Sequence, residues 1–303
     1  MIVGNERITG LSPAVVGELV AELGPLWHER HRARLVSRVR MRAVGAGARY
    51  KLVFVDRLLA TSVHPRHGTT HDVLACWFGV DRSTITRAIG EVRPLLAERG
   101  CTVTPGLRLR TLADVVGHLG TSRKTAILDA TEIRVRRPAQ GTAGRDRFIS
   151  GKSKQNAVKV MVLTDAEGRL LFCGEARPGG LPRYHPGPRL RARRPPGHRT
   201  LGGDPGGRRL SGPRWADRRQ VVTPPHRKFR KHPPLWYEEM HAREKHAHSS
   251  RRIRVEHGIA HLKNWRALAR HHGRREYLPA TIQAVAAVAS HQQNVTRPLA
   301  HAA

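Results

Sequence analysis

Near the end of the chain the segment Ser250–Arg266 reads SRRIRVEHGIAHLKNWR. Arg252, Glu256 and Lys263 lie four and then seven residues apart. On a helix with about 3.6 residues per turn they share one face. The opposite face is expected to carry Ile253 and Leu262, with Trp265 nearby. One chemistry for such a face is a carboxylate able to ligate a divalent cation, flanked by cations that grip phosphate. A solvated Arg–Glu–Lys pairing is the plainer outcome of the same spacing. Glu256 with His257 and His261 is also a partial zinc pattern, but Gly258 weakens that helix reading and no third ligand is evident. A second chemical group stands earlier, where Arg82, Ser83, Thr84, Thr86 and Arg87 follow Asp81. At the exposed start of a helix these donors can reach phosphates or base edges in a major groove. A generic helical hairpin is the alternative there.

Periodicity supplies the elements that would position these residues. Leu11–Leu23 carries Val15, Val16, Leu19, Val20 and Leu23 at helical spacing, and Tyr50–Thr61 repeats the pattern. Val73–Phe78 reads as a helix that stops at Gly79. A second helix starts after Asp81, whose side chain is expected to accept early backbone N–H groups. Helix, short glycine turn, helix is the helix-turn-helix pattern. From Lys124 the period changes. Ala126–Val135 and Asn156–Thr164 read as strands, Asp165–Gly168 as a turn, and Arg169–Ala176 as a return strand. Asp165 has a structural role in that turn. Helices return over about 249–270 and 279–292. This is an α/β order with a mixed sheet from about residue 120 on.

The formal charge is +32, with 55 Lys and Arg against 23 Asp and Glu, and arginines run from Arg7 to Arg297. So spread a positive charge calls for a polyanion, and nucleic acid is the commonest. Cys76, Cys101 and Cys173 form no Cys-x-x-Cys pair and fit reduced, buried thiols. No apolar run is long enough for a membrane span and no signal peptide is visible, so a cytoplasmic protein is expected.

Together these segments resemble the DDE transposases of bacterial insertion sequences, the group with an N-terminal helix-turn-helix and a DDE endonuclease domain. The resemblance covers about 45–180 and 221–293. It is carried by Asp129 in Ile-Leu-Asp-Ala-Thr-Glu, by Val221-Val-Thr-Pro-Pro-His, and by Arg252, Glu256 and Lys263. The last three match the family's Tyr-x2-Arg-x3-Glu-x6-Lys signature, with Ser249 in place of the Tyr. The resemblance implies a helical DNA-binding domain over 1–115, with its helix-turn-helix at about 70–97, and a ribonuclease-H-like domain over 120–295. It implies that Asp129, Glu256 and a second Asp hold two Mg²⁺ or Mn²⁺ ions for phosphodiester cleavage and strand transfer. It places Arg252 and Lys263 on DNA, makes double-stranded insertion-sequence ends the partner, and makes the active form a homo-oligomer.

The second Asp should lie between about 181 and 220, after a strand and before Gly-Tyr. The segment 181–219 is instead nearly all Arg, Pro and Gly, and neither Asp204 nor Asp217 ends an apolar strand. With permitted codons read one base later, Gly206-Gly-Arg-Arg-Leu-Ser-Gly212 spells Ala-Asp-Ala-Gly-Tyr-Gln-Gly. The same shift turns Gly203-Asp-Pro into Glu-Ile-Leu, and Leu190–His198 into an apolar helix. Two compensating frameshifts near 181 and 219 are therefore expected. They would remove a catalytic Asp and a core strand, disrupt the domain, leave a gap beside Asp129, and make this copy inactive. An intact enzyme with an Arg-rich insertion is the rival. A non-catalytic helix-turn-helix protein is the alternative from another class. An Arg-rich RNA-binding protein needs stacking aromatics, and with only 5% aromatic residues the chain disfavours it.

Overall fold

The computed structural model describes residues 5–37, 50–122, 124–181, 221–222 and 234–296. Nearly all of the Arg-, Pro- and Gly-rich segment, including Asp204 and Asp217, lies outside the described residues, as does the Thr-Pro-Pro-His after Val222 and the side chain of Arg252.

Within those residues the chain is a mixed helix-and-sheet structure that begins with helices. Helix α1 spans Glu6–Thr9 and α2 spans Pro13–Val36. Ser12 caps α2 by accepting from the Val15 N–H, and Pro13 pre-sets the first turn. Val15, Val16, Leu19, Leu23 and Trp27 form its buried face. Helix α3 is Phe54–His67, α4 is His71–Phe78 and α5 is Arg82–Arg99. The apolar pattern that begins at Tyr50 therefore becomes helical only at Phe54, and continues past Thr61 through Pro65. Gly79 ends α4 at φ +61, a left-handed cap that favours glycine.

A hairpin of β1 (Cys101–Thr104) and β2 (Leu107–Leu109), then α6 (Leu112–Ser122), follow. The main sheet contains β3 (Ala126–Val135), β4 (Ala157–Asp165), β5 (Leu170–Cys173), β6 (Arg177–Pro178), β7 (Val221–Val222) and β8 (Arg270–His271). Strand β3 pairs antiparallel with β4 from Ala126↔Asp165 to Arg134↔Ala157. Strand β5 extends the meander on the far side of β4. On its other edge β3 pairs in parallel with β7 at Ala126 and Ile127, and with β8 at Arg134 and Val135. Among the described residues no strand pairs with Leu128–Ile133 on that edge, the stretch that holds Asp129.

Helix α7 runs from Leu235 to Lys263, fourteen residues longer at its start than the expected onset at Ser249. The turn α8 (Arg266–Ala269) leads to β8, and α9 spans Leu278–Thr296. The middle of α9 is apolar on every side, as an enclosed stretch of helix must be. From Ala284 through His291 every residue is buried. One apolar core runs through it, joining Val92, Leu95 and Leu96 of α5 and Leu19 and Trp27 of α2 to Val160, Val162 and Cys173 of the sheet. The helical part and the sheet part thus share a core. A smaller cluster fills the other face of the sheet, where Val115 and Leu119 of α6 meet Met161, Leu163 and Leu171.

Candidate nucleic-acid interface

The three-helix unit α3–α4–α5 has its own small core of Ala60, Val63, Leu74, Ala75, Ile85, Ala88 and Ile89. Burying Ile85, Ala88, Ile89 and Val92 turns the opposite side of α5 to solvent. Ser83, Arg87 and Gly90 occupy that outward stripe and all three are exposed. Arg87 has no carboxylate partner among the described residues. Thr84 is half-buried.

The flank between the outward stripe and the core carries Arg82, Thr86 and Arg93, at intervals of four and seven residues. Arg82 faces Asp72 at 3.6 Å, both exposed. The Thr86 hydroxyl donates to the Arg82 carbonyl at 3.0 Å, so it accepts from His71 Nδ1 at 2.8 Å. Its hydroxyl is thus engaged inside the protein. Asp81 does not cap α5 with its side chain, contrary to expectation. Its carboxylate takes the Lys51 ammonium at 2.9 Å instead, and this bond holds it below the usual carboxylate range. A full positive charge outcompetes a backbone N–H for that oxygen.

Behind this surface lies a histidine cluster that the sequence pattern does not announce. The His64 and His71 rings stand 4.8 Å apart, edge to face. His64 Nδ1 donates to the Thr69 carbonyl at 2.8 Å. His271, from β8, donates from Nε2 to the Arg274 carbonyl at 3.1 Å. Burial is the main reason all three sit below the ordinary histidine value, and the Arg93 charge pushes in the same direction. The Arg93 guanidinium lies over the Tyr277 ring at 4.3 Å, so α5 touches the segment just before α9. One linear signal pointed here: from Arg266 to Arg275 the chain has no Asp or Glu.

The second group of expected residues sits on the sheet. Asp129 is on β3 directly opposite Val162, so it shares the face on which α9 and the end of α7 pack. It is half-buried, and its Oδ1 accepts from the Ala130 N–H at 2.8 Å. Helix α7 lies on that same face. Its buried stripe is Val255, Gly258 and Leu262, with Trp265 just beyond. Ile253 is 53% exposed, against the expected pairing with Leu262. Nine residues on a helix amount to two and a half turns, which puts the two on opposite sides. Glu256 and Lys263 are exposed beside the buried stripe, as are His257 and His261. Among the described residues no three His, Cys, Asp or Glu side chains gather as a metal ion requires. Asp165 is buried and closes the β4–β5 turn, accepting from the Glu167 and Arg169 N–H groups and from Arg169 Nε at 2.7 Å. Among the described residues no helix is long and apolar enough to cross a membrane.

No curated protein and no solved structure matches the chain. A family model does match part of it: residues 50–102, which include α3, α4 and α5, match the helix-turn-helix of DDE superfamily endonuclease.

Proposed function

We propose that the chain binds duplex DNA by laying the start of α5 in the major groove, as the DNA-binding part of a transposase-like protein. The observation that carries this reading is the outward stripe of Ser83 and Arg87 on a helix whose whole segment, 50–102, matches a helix-turn-helix of DDE endonucleases. Arg87 is the principal reader or phosphate contact. Ser83 assists it, and Arg82 adds charge that Asp72 partly offsets. Thr84 and Thr86 support the helix start. The test is titration of labelled duplex with the full chain across a salt series. Affinity should fall steeply with salt, and Arg87→Ala should weaken binding and flatten the log–log slope by about 1 if it holds a phosphate. Affinity that does not change with salt would sink the proposal.

We further propose that the sheet part descends from a ribonuclease-H-like transposase domain acting on insertion-sequence ends, working as a homo-oligomer when intact. Support comes from the antiparallel β3–β4–β5 meander, the parallel β7 beside β3, and the placement of Asp129 and α7 on one face. Two divalent ions, Mg²⁺ or Mn²⁺, would supply the cleavage chemistry in such a domain. The described residues do not fit that group. The two-ion arrangement needs three carboxylates, and among the described residues no three His, Cys, Asp or Glu side chains gather around Asp129 or Glu256. Because neither Asp204 nor Asp217 ends an apolar strand in the sequence, this copy is proposed to bind DNA without cutting it, with Arg252 and Lys263 as further phosphate contacts. On this reading, two compensating frameshifts bounding 181–219 would account for the second Asp.

A further inference from the structure

We infer that the segment Arg270–Arg275 grips the phosphate backbone of the same duplex whose groove receives α5, carrying the DNA footprint across the junction between the helix-turn-helix and the sheet. This inference rests on the proposed role of α5. A helix lying in a major groove presents its outward stripe to the base edges and its flanks to the groove walls, which are phosphates. On α5 one flank is Arg82, Thr86 and Arg93. That flank leads through direct contacts into the C-terminal part. Thr86 holds His71, His71 stands against His64, and Arg93 lies over Tyr277.

Arg270, His272 and Arg274 are all exposed at the end of that path. Among the described residues no carboxylate pairs with Arg270 or Arg274. The nearest acidic residues along the path are Asp72, already beside Arg82, and the exposed Glu276. So many like charges repel one another until a polyanion neutralises them. The segment is also held in place before any ligand arrives. His271 Nε2 fixes the Arg274 carbonyl, the Arg275 guanidinium rests on the Phe148 ring at 4.6 Å, and Arg266 Nη1 reaches the His67 carbonyl at 3.4 Å. A preformed basic turn loses little freedom on binding. His64, His71 and His271 lie beneath this path, and nearby phosphates would favour their charged forms.

The test uses the full chain, a duplex of about one helical turn and another of about three turns. The variants are Arg270→Ala/Arg274→Ala, the charge reversal Arg270→Glu/Arg274→Glu, and Arg87→Ala. Both arginines are exposed and have no ion pair among the described residues, and circular dichroism of each variant checks that it is folded. The unmodified chain should bind the longer duplex with a steeper salt slope. The double Ala variant should flatten that slope by about 2, the double Glu variant should flatten it further, and both should leave the short duplex nearly unaffected. Arg87→Ala should weaken both duplexes. If the folded double variants bind the long duplex as the unmodified chain does, or weaken both duplexes equally, the inference is wrong while the role of α5 stands. If Arg87→Ala changes neither duplex, the role of α5 fails and the inference falls with it.

Discussion

Glu91 shows how a single residue ties α5 to α2 and α3. It is almost fully buried, yet it accepts from Arg57 Nη1 at 2.9 Å, Arg34 Nη1 at 3.0 Å and the Trp27 indole at 2.9 Å. Arg57 is equally buried and lies over the Trp27 ring at 4.7 Å. Burial lowers the Arg57 value, and the Glu91 charge works against that shift. A guanidinium taken out of water needs its counter-charge. Glu91→Gln should therefore cost about 3–5 kcal/mol in urea unfolding, because it leaves Arg57 buried and unpaired. Arg34→Ala removes only a half-exposed partner and should cost less than about 1 kcal/mol. Equal losses in the two variants would show that Arg57 is not held by Glu91.

At the scale of elements, the approach of α7 to the sheet depends on two glycines. A Cβ on Gly168 would stand 2.6 Å from the Arg254 carbonyl oxygen, and φ there is +83. A Cβ on Gly258 would stand 2.8 Å from Thr164 Cγ2 and 2.9 Å from the Gly168 oxygen. In a free helix Gly→Ala gains about 1 kcal/mol. Here the added methyl meets backbone that cannot rotate away, and such overpacking costs about 1–3 kcal/mol. Gly258→Ala should lower the melting temperature despite the better helix former. A rise would mean that α7 does not rest on the β4–β5 turn. The same contact explains a glycine in the middle of a helix that sequence reading could treat only as a weakness. It also fixes the rotation of α7, with Val255 inward and Glu256 beside it.

For the molecule as a whole, α9 is the shared beam. It is enclosed by α5 on one side and by β1 and β5 on the other, so α5 and the sheet are packed on one core. The proposed loss of catalysis therefore need not loosen DNA binding. On the edge away from β4, Asp129 has no strand partner among the described residues, and on the proposed reading the second Asp belongs to a strand that would run beside it. Rebuilding 181–219 in the shifted frame should restore that strand and the second Asp. With Mg²⁺ and the element's own ends, the rebuilt chain should cleave and join DNA, while the chain as it stands should only bind. Equal activity in both would favour an intact enzyme with an Arg-rich insertion.

Local signals alone were enough for the elements with strong periodicity. The strand Ala126–Val135 is found with the bounds its alternation implies, and the Gly79 turn separates α4 from α5 as expected. These features follow from backbone sterics and spacing, which act over a few residues. The basic charge and the exposed start of α5 were legible for the same reason. The Asp81 bond to Lys51, the outward side of Ile253 and the burial of Glu91 were not legible. Each depends on which distant residue arrives opposite. The hairpin of β1 and β2 and the helix α6 are short and weakly patterned, so their identity waits on the core they pack against. The contacts that link His64, His71 and Arg93 to the segment around Arg270–Tyr277 span the chain from α3 to the residues before α9. The burial of the middle of α9, Ala284–His291, against α5 and the sheet holds the two ends of that path in place.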